Sequence, residues 1–160
     1  MELCLLSVSS PVGRWGVVGD DHGVHRIVMP NDMVGLVATT SGPEVVRAAV
    51  RELVEYFDGA RRSFTMPRVR VPGTAFQYDC WRALEGIPYG QVATYADIAA
   101  AVGRPRAARA VGNANHANPW PIVVPCHRVV AAQGLGGYGG GIAVKEFLLD
   151  LERSLVATNS

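Results

Sequence analysis

Three short apolar runs near the start of the chain, separated by turn-forming residues, predict an antiparallel β-meander over residues 3–8, 15–19 and 24–29. A helix from Pro43 to about Asp58 should follow, since apolar residues recur there at helical spacing, namely Val46, Val50, Leu53, Val54 and Phe57. Proline just inside the start and Gly59 just past the end suit the two helix termini. The first part of the chain is therefore expected to be a small α/β unit.

In the second half of the chain, apolar residues recur at the spacing of a helix and not of a strand, and the sequence predicts four helices. Thr74 and Thr94 are placed as N-caps of the first two, because a threonine hydroxyl can accept from the first free backbone amides. The four helices are expected at about 75–85, 95–102, 105–115 and 142–154. A connector rich in arginine and proline precedes them. We therefore expect an N-terminal subdomain over 1–65, a connector over 66–73 and a C-terminal domain over 74–160.

The second and third of these helices are short and flank Gly103, which is the helix-turn-helix pattern. The third helix is slim, because alanine and glycine occupy most of its positions, and Arg109 is its long side chain. A slim helix can approach a sugar-phosphate backbone closely, and Arg109 could then enter the duplex. Two alanine-rich helices that simply pack together remain the alternative.

The distribution of charge supports a DNA-binding role for these helices only in part. The formal net charge is +1, but no acidic residue lies between Ile98 and Lys145, where five basic residues stand: Arg104, Arg106, Arg109, Arg128 and Lys145. A stretch of one sign suggests an anionic partner, with a solvated basic face as the alternative. No run is long enough for a membrane span, and three widely spaced cysteines fit reduced thiols in a cytoplasmic protein.

A candidate nucleophile stands inside the basic stretch. Cys126, His127 and Arg128 follow Pro125 and lie between apolar β-branched runs that predict buried strand or core segments. A nearby cation would favour the thiolate, which is the reactive form of cysteine. A buried structural cysteine beside a surface His-Arg pair is the simpler alternative. Cys4, His22 and His25 do not complete a zinc set, so no metal is expected.

Two further segments flank the candidate nucleophile. Asn118 ends a turn rich in asparagine, and such side chains stabilise turns through nearby backbone groups. A loop over 134–141 is too rich in glycine to pack a core, but it lets backbone N–H groups approach a ligand. Glu152, on the last helix, follows the inward-facing Leu151 and could reach the same interior.

Together these residues resemble the O6-alkylguanine-DNA alkyltransferase (methylated-DNA–protein-cysteine methyltransferase) family. Pro125-Cys126-His127-Arg128-Val129-Val130 is similar to the family's active-site signature. The resemblance covers about half the chain, from Thr74 to Leu149, in family order and spacing. It also runs through the segments at 81–84, 87–90, 107–112, 118–119 and 145–149.

The resemblance implies a fold and a reaction. The fold would be α/β (α+β), with a small ribonuclease H-like antiparallel sheet and a helix before a mostly helical domain containing a helix-turn-helix. Such proteins bind double-stranded DNA through the minor groove, flip out O6-alkylguanine and move the alkyl group irreversibly onto a cysteine. We expect a single-turnover enzyme without a cofactor. Activity on O4-alkylthymine stays open, as does cooperative binding of the expected monomer along DNA.

Site residues also follow from the resemblance. Cys126 would be the acceptor, His127 a base acting through a water, Glu152 the group that orients it and Asn118 a brace. A histidine protonated through Glu152 would lower the pKa of the thiol. DNA contacts are implied at Thr94, Tyr95, Arg104, Arg106, Ala108, Arg109 and Arg128, with Arg109 filling the gap left by the base. The substrate pocket would comprise Tyr95, Val129, Tyr138, Gly139 and Lys145, with Lys145 near the leaving guanine.

Three other functions fit part of the pattern. A module that recognises alkylated DNA without accepting the group would need no nucleophile, yet Cys126 is present. A cysteine hydrolase usually takes its cysteine and histidine from separate segments, whereas Cys126 and His127 are adjacent. A transcription factor would use the helix-turn-helix to recognise bases in the major groove, for which a slim helix offers few side chains.

Overall fold

The fold is taken from a computed structural model, which describes residues 2–158 without the side chain of Thr158. The chain divides into two compact units, Met1–Val71 and Pro72–Ser160. No helix in the described range is long and apolar enough to cross a membrane.

The first unit begins with the predicted meander. Strands β1 (Cys4–Ser10), β2 (Gly13–Asp20) and β3 (Gly23–Val28) pair antiparallel in the order β1-β2-β3. Helix α1 (Glu44–Phe57) follows and buries one apolar face, although Val54, expected on that face, is 43% exposed. Trp15 of β2 is fully buried and its ring lies 5.6 Å from that of Phe57. The sheet and the helix therefore share one apolar core.

Part of the predicted connector, residues 67–69, is hydrogen-bonded to strand β3 of this unit. The amide of Val24 in β3 donates to the Pro67 carbonyl at 2.8 Å, and the Val69 amide donates back to the Val24 carbonyl at 3.0 Å. Just before it, the buried Glu52 carboxylate accepts from the amides of Thr65 (2.8 Å) and Met66 (3.0 Å). Residues 67–69 thus pair with a strand, and the boundaries at 65 and 74 stay predictions.

The second unit is mainly helical. Its elements are α2 (Ala75–Glu85), β4 (Ala93–Thr94), α3 (Tyr95–Ala101), α4 (Ala108–His116), β5 (Val129–Val130) and α5 (Ile142–Thr158). Thr74 and Thr94 are the N-caps of α2 and α3, each in a capping box with the residue three places on. Trp81 of α2 donates through Nε1 to the Ala114 carbonyl of α4 at 2.9 Å. The α/β fold class with a small antiparallel sheet and a helical second part is confirmed.

The helix-turn-helix differs from its prediction in one boundary. Helix α4 begins at Ala108 and not at Pro105, because the chain first makes a turn in which the Ala107 amide donates to the Arg104 carbonyl at 2.9 Å. Gly103 opens this link with φ 76°, a conformation that favours glycine. Arg109 consequently lies in the first turn of α4 and not at its middle, and its side chain is exposed.

Candidate functional site

The segment that carries the candidate nucleophile is a turn and not a strand end. Cys126–Arg128 form one turn of 3-10 helix, in which the Arg128 amide donates to the Pro125 carbonyl at 3.0 Å. Only the following two residues, β5, are extended, and they pair parallel with β4. The apolar run before the turn is buried but irregular, since the Val124 amide bonds back to the Trp120 carbonyl at 2.8 Å. Of the two predicted alternatives, the run before Cys126 is therefore a buried core segment and not a regular strand.

This irregular stretch carries backbone strain and a side-chain brace. Ile122 has φ 74°, which is a true outlier for a β-branched residue. Asn118 holds the stretch from inside: its Nδ2 donates to the Val124 carbonyl at 2.7 Å, and its Oδ1 accepts from the Trp120 amide at 3.0 Å. Buried Asn118 thus fixes the path of the chain that delivers Cys126.

The Cys126 thiol is almost fully enclosed, with the residue 4% exposed. Burial raises the pKa of the thiol above its usual 9.0, and the side chains of Asn118 and Tyr138 and the charge of Lys145 oppose that rise. The resting group is therefore a neutral thiol, surrounded by groups that favour the thiolate once the proton is removed.

His127 and Glu152 form a buried pair, and Glu152 comes from α5. The distance from His127 Nε2 to Glu152 Oε2 is 2.7 Å, and both side chains are at most 1% exposed. Burial alone would raise the pKa of Glu152, but the hydrogen bonds and charges of His127 and Arg128 outweigh this and hold the pKa well below its usual value. An ionised carboxylate accepts the Nε2 hydrogen, so Nδ1 is left as the acceptor nitrogen.

His127 is neutral at rest, contrary to the expectation of a protonated imidazole. Burial lowers its pKa below the usual 6.5, and the attraction of Glu152 does not offset this. Glu152 also has a second partner, Arg128, whose positive charge adds to the lowering of the His127 pKa, as does that of Lys145. His127 Nδ1 is buried and has no hydrogen-bond partner among the described protein groups. The imidazole can therefore take a proton, but it cannot act as a resting cation that acidifies the thiol.

Arg128 is that second partner, and it differs from the expectation of a DNA contact. Its Nε and Nη2 donate to Glu152 Oε1 at 2.8 Å and Oε2 at 3.0 Å, and its Nη1 donates to the Ile87 carbonyl at 2.8 Å. The residue is 6% exposed and its guanidinium lies over the ring of Tyr89, 5.6 Å from the centroid. A guanidinium engaged in this way is unavailable to a phosphate.

Sequence reasoning missed this structural role. It placed Arg128 between two apolar runs, but it took the cationic type of the residue as a signal for DNA. A buried carboxylate such as Glu152 needs compensating charge, and an arginine next to a buried histidine could have suggested where that charge comes from.

Of the predicted pocket residues, Tyr95, Tyr138 and Lys145 lie near enough to the Cys126 thiol to interact with it electrostatically. The Tyr138 hydroxyl is buried; burial raises its pKa well above 10.0, and the neighbouring thiol adds to that rise. The Tyr95 hydroxyl donates to the Gly137 carbonyl at 3.4 Å, a weak contact that joins α3 to the glycine-rich loop. A side chain on Gly139 would approach the His116 ring to 3.2 Å, and Val129 is fully buried beside the turn.

The predicted DNA contacts fall into two groups. Arg104, Arg106 and Arg109 are exposed on the link before α4 and on its first turn. Thr94 and Ala108 are half-buried at the starts of α3 and α4, and the Thr94 hydroxyl accepts from the Asp97 amide at 3.0 Å. The exposed arginines therefore form a cationic edge of the helix-turn-helix, whereas the side chain of Thr94 caps a helix.

The residues considered for a metal in the first unit do not converge. His25 Nε2 lies 2.9 Å from Asp20 Oδ2, while Cys4 is buried in β1 opposite Gly19. No group of three or more histidine, cysteine, aspartate or glutamate side chains within residues 2–158 is placed to hold a metal ion.

Comparison with known proteins identifies the relatives of this arrangement. Residues 75–154 match the family described as "6-O-methylguanine DNA methyltransferase, DNA binding domain". The methylated-DNA–protein-cysteine methyltransferase of Methanosarcina acetivorans is 43% identical over 155 residues, which cover 91% of this chain and 95% of that one. The constitutive enzyme of the same name from Bacillus subtilis is 41% identical over 155 residues, or 92% and 93% of the two chains.

Solved structures agree with the sequence relatives. The crystal structure of Mycobacterium tuberculosis O6-methylguanine methyltransferase superposes with a TM-score of 0.83 at 36% identity, over 99% of this chain and 100% of that one. The Mycobacterium tuberculosis OGT crystallised in complex with DNA superposes with a TM-score of 0.81 at 40% identity, over 93% and 92%. These similarities extend over nearly the whole chain, including the first unit, where the sequence motifs are weakest. The chain therefore belongs to the methylated-DNA–protein-cysteine methyltransferase family.

Proposed function

We propose that this protein repairs DNA by moving the alkyl group of O6-alkylguanine in double-stranded DNA onto Cys126, in one irreversible step per molecule. The observation that carries the proposal is the buried Cys126-His127-Glu152 arrangement in the same unit as an exposed cationic helix-turn-helix. Attack on an sp³ carbon needs a soft, strong nucleophile, and a thiolate meets that need. The family relationship supports both the DNA partner and the acceptor cysteine.

In the proposed mechanism, His127 Nδ1 takes the thiol proton as Cys126 Sγ attacks the alkyl carbon. Adjacent side chains on a tight turn diverge, so one bridging water between sulfur and nitrogen is the plausible route for the proton. Glu152 holds the Nε2 hydrogen and stabilises the imidazolium that forms. The Sγ–C bond forms as the C–O6 bond breaks. The electron pair returns to the purine, which recovers the proton from the imidazolium and becomes guanine.

The DNA part of the proposal concerns how a buried thiol meets a base inside a duplex. The target atom lies within the stack, so the nucleotide must be extruded into the pocket formed by Tyr95, Tyr138 and Gly139. Exposed Arg109, at the start of a slim helix, is suited to enter the minor groove and fill the gap. Arg104 and Arg106 would hold adjacent phosphates, with the protein acting as a monomer.

The direct test is the mass of the intact protein after incubation with a duplex carrying O6-methylguanine. The wild type should gain one methyl group, and the gain should stop at one per molecule. Cys126→Ser should gain none while still binding the damaged duplex, because the hydroxyl is nearly isosteric but a poor nucleophile. Cys80→Ser, a change at another buried cysteine, is the matched control and should be methylated normally. Methylation of Cys126→Ser, or repeated turnover, would contradict the proposal.

A further inference from the structure

Lys145 is a fully buried lysine whose ammonium group faces three backbone carbonyls. Its Nζ lies 2.6 Å from the Val129 oxygen, 2.6 Å from the Leu135 oxygen and 3.1 Å from the Gly137 oxygen. A buried cation is costly unless its hydrogens are all satisfied, and three carbonyls satisfy an ammonium completely. A contact between Lys145 and the leaving guanine, expected from the sequence, would have to break one of these bonds.

The three carbonyls belong to two different segments. Val129 directly follows the turn that carries Cys126 and His127, whereas Leu135 and Gly137 lie in the glycine-rich loop that carries Tyr138. Lys145 itself stands in the first turns of α5. One side chain therefore joins the nucleophile turn, the loop and the helix that supplies Glu152.

Besides the bonds to Lys145, the glycine-rich loop has a backbone hydrogen bond from the Gly141 amide to the Tyr138 carbonyl at 3.0 Å. Gly134, Gly136 and Gly141 have φ values of 117°, 74° and 94°, and a side chain on Gly134 or Gly141 would meet nothing within 4 Å. Such positions give the loop conformational freedom that packing does not remove. The 3.4 Å contact from Tyr95 to Gly137 is long for a hydrogen bond between oxygens. The Lys145 bonds are shorter, and the donor is charged.

The charge of Lys145 also acts on the reactive group. Burial lowers its pKa from 10.5 to about 8, so the ammonium persists at neutral pH. The charge favours the thiolate of Cys126 and opposes protonation of His127. The phenol of Tyr95 faces the same ammonium, with Nζ 6.0 Å from its ring centroid. Lys145 is therefore placed to influence both the position of Tyr138 and the ionisation of the thiol.

We propose that Lys145 is a positioning residue, which ties the glycine-rich loop to the nucleophile turn and keeps Tyr138 against the sulfur. This inference rests on the proposed alkyl transfer, but two of its consequences are measurable without it. The glycine-rich loop should become more mobile when the three hydrogen bonds of Lys145 are removed. The pKa of the Cys126 thiol should rise when the charge of Lys145 is removed.

The first measurement is cleavage of the loop by chymotrypsin, which cuts after aromatic and large apolar residues and so can cut after Tyr138. Lys145→Met keeps the apolar stem and removes all three donors. Cleavage after Tyr138, followed by intact mass, should become at least about tenfold faster, because an ordered loop resists a protease. Arg153→Met removes an exposed cation from the same helix and is the matched control. Its loop should be cut at the wild-type rate.

The second measurement is the pH dependence of Cys126 alkylation by iodoacetamide, resolved by peptide mass from Cys4 and Cys80. Lys145→Met should shift the curve to higher pH than Arg153→Met does. Lys145→Gln separates the two effects, since an uncharged amide still donates two hydrogen bonds. Lys145→Gln should therefore restrain the loop better than Lys145→Met does. It should shift the pH dependence of Cys126 alkylation by the same amount, because both variants lack the charge. It also serves as the test variant if Lys145→Met does not fold by circular dichroism.

The third measurement links the residue to the reaction. Transfer from free O6-benzylguanine should fall by roughly 100-fold in Lys145→Met if misplacement of the pocket is the cause. Unchanged loop cleavage and an unchanged alkylation curve, in a folded variant, would overturn the inference whatever the transfer rate. If the wild type transfers no alkyl group at all, the proposed function fails instead, while the loop and thiol measurements still decide the role of Lys145.

Discussion

At the scale of single residues, the chemistry of the site depends on the fact that His127 and Arg128 both hydrogen-bond to the Glu152 carboxylate. The carboxylate accepts from His127 and from two nitrogens of Arg128, so its negative charge is largely compensated before any proton moves. Burial then decides the state of His127 and lowers the pKa of the imidazole. The pair Cys126 and His127 is consequently uncharged at rest, and the thiol loses its proton only as the reaction proceeds.

The rate of alkyl transfer should therefore fall on the acid side of a pKa that lies below 6.5. Protonation of His127 removes the base, and the lowered pKa means that this occurs at a lower pH than for an exposed histidine. The free energy of unfolding should fall in the same window, because the unfolded chain binds the proton near 6.5 and the folded chain does so only below that value. Single-turnover rates between pH 4.5 and 8 would show this; a midpoint above 6.5 would contradict it.

Removal of the second partner of Glu152 should move that midpoint. In Arg128→Met the carboxylate loses its guanidinium partner but keeps His127 and the Gly90 amide, so the pKa of the imidazole should rise and the acid limb should shift to higher pH. Loss of one member of a buried ion pair typically costs about 3–5 kcal/mol, so rates should be compared at a temperature where circular dichroism shows the variant folded. Arg153→Met serves again as the control. A limb that stays in place would show that Arg128 does not set the state of the pair.

The family resemblance was sufficient to predict that His127 meets Glu152, but the sequence predicted neither the contact of Arg128 with Glu152 nor the charge states. Cys126 and His127 are adjacent, and Glu152 lies where helical spacing turns it inward. The inward direction of Arg128 was not predictable, because burying a guanidinium is favourable only when a carboxylate 24 residues away reaches it. The neutral state of His127 follows mainly from its burial, to which the charges of Arg128 and Lys145 add.

At the scale of elements, local signals were reliable where a side chain acts on its own backbone. Thr74 and Thr94 were predicted as N-caps, and both form capping boxes. The start of α4 was misplaced because Pro105 also suits a turn, and the backbone of Ala107, at φ −97° and ψ 26°, delays the helix. Of strand and core segment, the two alternatives predicted before Cys126, the second is found, because the β-branched residues there pack in an irregular buried turn.

The corrected start of α4 makes a specific prediction for Arg109. A side chain in the first turn of an exposed helix can enter a groove, and an inserted guanidinium offsets the unstacking cost of a few kcal/mol. Arg109→Ala should slow repair of duplex DNA by roughly tenfold or more, while transfer from free O6-benzylguanine stays near the wild-type rate. Arg109→Lys should be intermediate, because it keeps the charge without the planar group. Equal losses on both substrates would place Arg109 in the pocket or the fold instead.

At the scale of the whole molecule, positive charge is concentrated in one stretch of the chain although the net charge is small. The net charge is only +1, yet the exposed arginines of the helix-turn-helix have no acidic neighbour in sequence between Ile98 and Lys145. Phosphate binding releases counterions, so each contact adds to the salt dependence of the affinity. The uneven distribution of charge was predictable from the sequence. The number of basic side chains free to contact phosphates was not, because Arg128 and Lys145 are buried.

The salt dependence provides a whole-molecule test of that distribution. Arg106→Ala should weaken binding to damaged and undamaged duplexes by the same factor, and it should reduce the slope of log affinity against log salt by about 0.9. Fluorescence anisotropy from 50 to 250 mM NaCl would measure the slope. Arg14→Ala, at an exposed arginine of the first unit, is the control for a general change in charge. A loss confined to the damaged duplex would instead assign Arg106 to lesion recognition.

The enclosure of Cys126 has a consequence for the life of the protein between encounters with DNA. Peroxides and small electrophiles react with thiolates that they can reach, and oxidation beyond the sulfenic acid is not reversed in most proteins. Residue Cys126 is 4% exposed and its thiol is neutral at rest, so the sulfur is shielded from such reagents both by burial and by protonation. Under the proposed function each molecule would be used once, so this shielding would keep the thiol intact until an alkylated base enters the pocket.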